Sequence, residues 1–262
     1  MSDDILASLE RVQRAITGAG SSQQMLEGVL AEMLDIFDVE RAWLMYPCDP
    51  LAEAIRVPFE VTRPEYPGGG DSGHHLPVTP GLAQVLARAN ATREPVRLDD
   101  GRSDAPRNAE LEAALRIRSQ IAICVRPAND APWLLGLHAC KASRDFGPEA
   151  ALFTAIGRRV EDGLTHHLAM ETMRQSEARL RTLIDHAPEA ILLFDVDQDR
   201  VVQANPRAAD LFGVSVDTIT RGTLTGYANT PGTPVATIRE HIAKALGGEL
   251  TIAWFVRRSV GG

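Results

Sequence analysis

Between Pro148 and Pro188 the chain carries no proline, and Leu152, Ile156, Val160, Leu164 and Leu168 recur at successive four-residue steps. With 3.6 residues to a turn, that spacing lines one face of an α-helix. The chain therefore reads as helical for nearly forty residues. Its apolar row then thins to Met173, Leu180, Leu183 and Ile184, set among Glu, Arg and Gln. A helix has this pattern when its first half packs on a domain and its second half leaves it, free to pair with a copy of itself. The stretch from Thr172 to Glu177 is the natural boundary between a larger N-terminal part and a smaller C-terminal one.

Ahead of the long helix the hydrophobic period changes. Ile5, Leu6, Leu9, Val12 and Ile16 are spaced by three and four, which predicts an amphipathic helix over Asp4 to Ile16. After Thr17-Gly18-Ala19-Gly20, Ser21 or Ser22 can cap a second helix bearing Met25, Leu26, Val29, Leu30, Met33, Leu34 and Phe37. Ala42 to Tyr46 and Ala54 to Val61 are short, aromatic and branched, and flank the turn-rich Pro47-Cys48-Asp49-Pro50; they read as a hairpin. Thr62 to Pro80 is rich in Pro and Gly and has the length of a functional lid or an insertion. Helices are predicted over Pro80 to Ala89 and Asn108 to Leu115, with a short extended piece from Pro95 to Leu98. Two stronger strands follow, Gln120 to Arg126 and Trp133 to Lys141.

Beyond the long helix, Glu189 to Phe194 and Arg200 to Ala204 form a predicted hairpin across Asp195 to Asp199. Asn205 is placed to cap a helix with Pro206 at its first position, and Gly213 to end it. A helix from about Thr233 to Leu246 and a strand from Leu250 to Arg257 complete the prediction.

Charge and cysteine usage exclude several partners. The 262 residues include 27 Lys+Arg against 35 Asp+Glu, a formal net charge of −8. An acidic surface without a dense basic tract opposes phosphate backbones and anionic headgroups, so nucleic acid is not expected as a partner. The longest apolar runs, Ala190 to Phe194 and Ile121 to Val125, are too short to cross a bilayer, and Asp3 and Asp4 stand where a secretory leader needs positive charge. A cytoplasmic chain without direct membrane insertion is the expectation. Cys48, Cys124 and Cys140 are odd in number and lack C-x-x-C spacing, which argues for free, buried thiols over a disulfide framework or a structural zinc site.

The familiar catalytic signatures lack their footing: no G-x-x-x-x-G-K-[ST], H-E-x-x-H or G-x-S-x-G occurs. Gly68-Gly69-Gly70 has no downstream helix with a lysine and reads as a loop. The adjacent pairs His74-His75 and His166-His167 point their side chains in different directions on a strand or a helix, so neither forms a compact chelate and no metal is expected. His138 differs. Strand alternation puts it on one face with Cys140, either as a half-buried, hydrogen-bonded core pair or as contacts to a ligand.

Trp133-Leu134-Leu135-Gly136-Leu137-His138-Ala139-Cys140, followed by Arg144-x-Phe146-x-x-Glu149 at the start of the long helix, resembles the closing motif of GAF domains, in particular the phytochrome-like branch found in bacterial sensor kinases. The segment Arg41 to Pro50 and the helix-helix-strand-strand order fit the same family. Leu180-x-x-Leu183-Ile184-x-x-Ala187-Pro188, the strand Ala190 to Asp195 and Asn205-x-x-Ala208-Ala209-x-x-Phe212-Gly213 resemble the start of a PAS domain. Trp254-Phe255-Val256-Arg257-Arg258 is similar to its third strand, and the final strands of that fold would lie past Gly262.

The resemblance implies an α+β architecture: an antiparallel-sheet GAF sensory domain flanked by helices over 1–171, a helical linker over 172–186 continuous with the helix from about 148, and the N-terminal part of a PAS domain over 187–262. It implies a non-catalytic, homodimeric sensory region of a bacterial signalling protein, with a histidine kinase as the output module and a diguanylate cyclase or phosphodiesterase as alternatives. Trp43, Tyr46, His138 and Cys140 are the ligand-pocket candidates, with Thr62 to Pro80 as a lid. Leu164, Leu168, Met173 and Leu180 are the positions along the helix that would carry the signal.

No cofactor is expected, although a small-molecule ligand of unknown identity is compatible with the family. Bilin-binding relatives commonly attach the chromophore to a Cys followed by His, whereas Cys48, Cys124 and Cys140 precede Asp49, Val125 and Lys141. The cyclic-nucleotide signature Asn-Lys-Phe-Asp-Glu and the flavin-photoreceptor run Gly-Arg-Asn-Cys are also missing. Two alternatives remain in view: a GAF-fold free methionine-R-sulfoxide reductase working through cysteines, whose Asp-Ala-Ala-Ser-Arg-Ser-like motif is not present, and a ligand-free dimerisation scaffold.

Overall fold

A computed structural model describes residues 2–69, 75–99, 103–104, 109–128, 130–195, 197–223, 240 and 243–244. The chain divides into two compact units, Met1–Thr172 and Met173–Gly262.

The first unit opens with α1 (Ser2–Thr17) and α2 (Ser22–Phe37). The Ser21 hydroxyl accepts the Gln24 N–H and so caps α2, and Asp38 ends that helix in the left-handed region at φ 46°. The strands are β1 (Arg41–Tyr46), β2 (Ala54–Thr62), the two-residue β3 (Leu76–Pro77), β4 (Val96–Leu98), β5 (Ser119–Val125) and β6 (Trp133–Ala139). They form one antiparallel sheet in the order β3-β2-β1-β6-β5-β4. Between the strands lie α3 (Pro80–Ala91), capped by the Thr79 hydroxyl with Pro80 in its first turn, and the short α4 (Ala109–Ala114).

Period-two alternation assigns the two faces of this sheet. Ala42, Leu44, Ile121, Ile123, Leu135 and Leu137 point to a core shared with α1, α2 and the long α5 (Ala150–Asp185). Trp43, Ala122, Cys124 and Leu134 point the other way, to a second core closed by Val85, Leu86 and Ala89 of α3. Burying a side chain the size of Phe153, Ile156 or Leu164 contributes about 1.5–3 kcal/mol, and these α5 residues are almost wholly enclosed. From Thr172 to Leu183 every residue of α5 is exposed, Met173, Leu180 and Leu183 among them.

The entry to α5 is fixed by the residues of the closing motif. Arg144 donates to the Phe37 carbonyl at the end of α2 (2.7 Å), pairs with Glu149, and stacks its guanidinium 5.0 Å from the Phe146 ring centroid. The Phe146 N–H donates to the buried Asp99 carboxylate (2.9 Å), which also receives Arg97 (2.8 Å). These residues hold the helix on the sheet, and none of them lines the cavity described below.

In the second unit β7 (Leu192–Asp195) and β8 (Arg200–Ala204) pair as a hairpin, followed by α6 (Pro206–Phe212) and α7 (Val216–Thr220). Asn205, fully buried, organises the start of this unit. Its Oδ1 accepts the N–H groups of Ala208 (3.0 Å) and Ile191 (2.9 Å), while Nδ2 donates to the carbonyls of Ile184 (3.0 Å) and Glu189 (2.8 Å). Gly213 closes α6 at φ 68°, a conformation that favours glycine. Val201, Ala204, Ala208 and Ile219 form the core. The helix predicted for Thr233 to Leu246 and the strand for Leu250 to Arg257 lie outside the described residues, apart from helical positions at 240, 243 and 244. α7 has no counterpart in the sequence-based prediction, because its five residues are too few to show a helical period.

Candidate functional site

The sheet face that carries Trp43 does not fill completely. Between it, α3 and α4 lies a cavity of about 100 Å³, bounded by Trp43, Met45 and Val57 of the sheet, Leu82 and Val85 of α3, and Leu111 and Leu115 at α4. Gly69 and Leu76 also border it, which brings the described ends of the Thr62–Pro80 segment to its edge. Residues 70–74, including His74, lie outside the described residues, and His75 is exposed.

Trp43 reaches this position because its strand partner has no side chain. Trp43 and Gly136 are paired across β1 and β6, and a β-carbon built on Gly136 would lie 2.1 Å from the indole Cζ2. The ring lies over the glycine, 97 % buried, and its Nε1–H has no acceptor among the described residues. The imidazole of His138 sits beside it, ring centroids 5.1 Å apart.

A run of polar groups backs the cavity. Arg41, 1 % exposed, places Nε 3.2 Å from Glu60 Oε1 and Nη1 3.1 Å from His138 Nδ1. Its remaining N–H groups donate to the carbonyls of Leu115, Tyr66 and Pro67. A guanidinium can only donate, so His138 Nδ1 accepts and its proton resides on Nε2, which donates to Gln120 Oε1 at 3.1 Å. Burial, with the Arg41 charge second, holds the His138 imidazole well below its ordinary value of 6.5, so the ring is neutral at physiological pH. Glu60, His138 and Gln120 all reach the cavity wall.

The sequence-derived candidates separate accordingly. Trp43 and His138 line the cavity. Tyr46 is three residues from Trp43, an odd separation that turns it to the opposite face of the sheet. There its ring packs 4.6 Å from that of Trp133, its hydroxyl donates to Asp130 (3.4 Å), and burial followed by Asp130 raises its pKa. Cys140 lies one residue past β6 and borders a separate hollow with Tyr66, Arg116 and Lys141. Its N–H donates to Glu40 (2.7 Å) and its thiol to the Leu115 carbonyl (3.8 Å). Leu164 is buried, Leu168 half-buried, and Met173 and Leu180 are exposed. All three cysteines are free and buried, and none touches the cavity. Among the described residues no cluster of His, Cys, Asp or Glu is arranged to hold a metal, and no helix is long and apolar enough to cross a membrane.

Arg41, Glu60 and Gln120 were not among the predicted site residues. A charged residue at the start of a strand is the one available signal, since Arg is rarely buried without partners, but the partners come from β2, β6, the loop after β2 and the residue that follows α4.

The six-stranded unit has the GAF fold. It is similar to the phycoerythrobilin-bound GAF domain from a cyanobacterial phytochrome, at 12% identity and a TM-score of 0.51 over 65% of this chain and 100% of that chain. It is also similar to the GAF domain from a phosphoenolpyruvate-protein phosphotransferase of Coxiella burnetii, at 14% identity and a TM-score of 0.50 over 64% of this chain and 97% of that one. Residues 178–241 match the family model of the PAS domain. No curated protein matches the chain.

Proposed function

We propose that this chain is the sensory region of a bacterial sensor histidine kinase. In this reading the GAF-fold unit takes a small molecule, α5 pairs with α5 of a second copy, and the signal passes along that helix to a PAS unit and an output module. The observation that carries the reading is α5 itself. It is buried in the first unit from Phe153 to Leu164 and continues without a break to Asp185, inside the segment that matches the PAS family from residue 178. A helix that belongs to two sensory folds can deliver a small rotation from one to the other. A kinase is put ahead of a diguanylate cyclase or phosphodiesterase because the GAF branch that residues 133–149 resemble occurs in sensor kinases; no residue of the chain distinguishes the outputs.

The cavity supports a small ligand and speaks against a tetrapyrrole. At about 100 Å³ it is below the range of sites for drug-sized molecules, and no cysteine lines it to form a thioether. The same absence of wall thiols speaks against the reductase alternative. A native mass spectrum of the 262-residue chain tests the reading, because it reports subunit count and bound small molecules together. A dimer with an added mass supports it; a bare monomer at every concentration would end it.

A further inference from the structure

We propose that the cavity binds a compact, uncharged, largely apolar molecule whose carbonyl-type oxygen accepts hydrogen bonds from the indole N–H of Trp43 and the side-chain amide of Gln120. This rests on the reading above that the cavity takes a ligand, and it names the class of that ligand.

The indole is the first argument. A buried N–H without an acceptor is uncommon, because it forfeits its bond to water and gains nothing in return. The other described tryptophan shows the usual solution: Trp133 Nε1 donates to Asp130 at 3.0 Å. Trp43 is as deeply enclosed, stands on the cavity wall, and its indole N–H has no partner among the described residues. An acceptor supplied from within the cavity completes it.

Gln120 provides a second donor by a route that starts at Arg41. The guanidinium fixes the His138 tautomer, His138 Nε2–H then takes Gln120 Oε1, and the Gln120 amide is thereby oriented with its nitrogen left over. That nitrogen makes no hydrogen bond among the described residues, and Gln120 lines the same cavity. Two donors on one wall match the two lone pairs of a carbonyl oxygen.

Charge narrows the class further. Arg41 backs the cavity without lining it, and its charge is paired with Glu60 (Nε to Oε1 3.2 Å), while its Nη groups face His138 and three backbone carbonyls. Glu60 and Glu112 both border the cavity and would repel a carboxylate or phosphate. The neutral His138 and the flanking Met45, Val57, Leu82 and Val85 leave an apolar space close in size to cavities that accept a single six-membered ring.

The test uses the full 262-residue chain, labelled with ¹⁵N at its tryptophan indoles, and three probes of similar size: acetophenone, ethylbenzene and benzoate. Acetophenone should bind roughly tenfold more tightly than ethylbenzene, the difference expected for one or two hydrogen bonds made in an enclosed site. It should also move the Trp43 Nε1–H proton resonance downfield, whereas ethylbenzene leaves it in place. Benzoate should bind more weakly than either. Trp43→Phe and, independently, Gln120→Met should each lower the ratio of acetophenone to ethylbenzene affinity severalfold, so the prediction survives if one variant fails to fold. Equal affinity for acetophenone and ethylbenzene, an unmoved Trp43 resonance, or preferential binding of benzoate would overturn the ligand class while leaving the cavity as a binding site. Absence of binding by all three probes would overturn the site itself.

Discussion

Trp43 and Gly136 face each other across β1 and β6, and the indole occupies the space where any larger residue at 136 would put its side chain. Gly136→Ala would force the ring off its seat or bend β6. Overpacking at a buried site costs about 1–3 kcal/mol. The expected outcome is a lower denaturant midpoint with a red-shifted tryptophan emission as Trp43 becomes wetter. An unchanged midpoint and spectrum would show that the ring is not held by this glycine.

Arg41 is the residue whose loss should hurt the first unit most. Arg41→Met strips the donor from three carbonyls and from His138, and leaves the Glu60 carboxylate nearly buried beside an apolar chain. Breaking one side of a buried pair costs about 3–5 kcal/mol. Arg41→Met combined with Glu60→Met should be less destabilised than Arg41→Met alone, since the carboxylate that faced the guanidinium goes too. Urea denaturation of the parent, the two single variants and the double variant measures this, and additivity of the two single changes would refute the coupling.

His138 makes a pH prediction with a defined sign. Its folded pKa lies well below 6.5, so under mildly acidic conditions the unfolded chain binds a proton that the native chain refuses. The stabilisation is complete above the unfolded value and is lost as pH falls below about 6.5, at up to about 1.4 kcal/mol per pH unit. Denaturant midpoints recorded from pH 7.5 to 5 should fall for the parent and fall less steeply for His138→Gln. Parallel curves would mean that His138 titrates alike in both states.

Asn205 can be dissected by charge. Asn205→Asp keeps the acceptor that caps α6 but loses both donors and sets a carboxylate against the carbonyls of Ile184 and Glu189. Asn205→Ala loses the cap as well, which alone costs about 1 kcal/mol. Both variants should speed amide exchange in residues 189–205 while leaving the first unit unaffected. Aspartate as good as asparagine would show that the two donated bonds contribute nothing.

The exposed row on α5 predicts association. Met173, Leu180 and Leu183 are apolar, exposed and spaced by seven and three. Met173→Asp with Leu180→Asp should shift the sedimentation equilibrium towards monomer without reducing helix content. A parent chain that is monomeric at every concentration would remove the reason for the experiment.

Much of this architecture could be read before any coordinates, because periodicity and capping are local. Ser21, Pro80, Asn205 and Gly213 mark helix ends within a residue or two, and the strand pair Trp133–Ala139 with Ser119–Val125 follows from its apolar run. The site was legible only in part. Trp43 and His138 announce themselves by residue type, but the same reasoning set Tyr46 beside them, although a three-residue step along a strand reverses the face. Arg41, Glu60 and Gln120 meet through strands β1, β2 and β5, and no spacing within one segment encodes that meeting.

The unbroken course of α5 from Ala150 to Asp185 makes its face sensitive to phase. One residue inserted after Thr172 would turn the row Met173, Leu180 and Leu183 by about 100° around the helix axis relative to Leu164, while seven would restore its azimuth to within about 20°. Insertions and deletions tolerated here should therefore come in steps near a heptad, and fusions that exchange one unit for another must match the count of residues between them as strictly as the identity of any side chain.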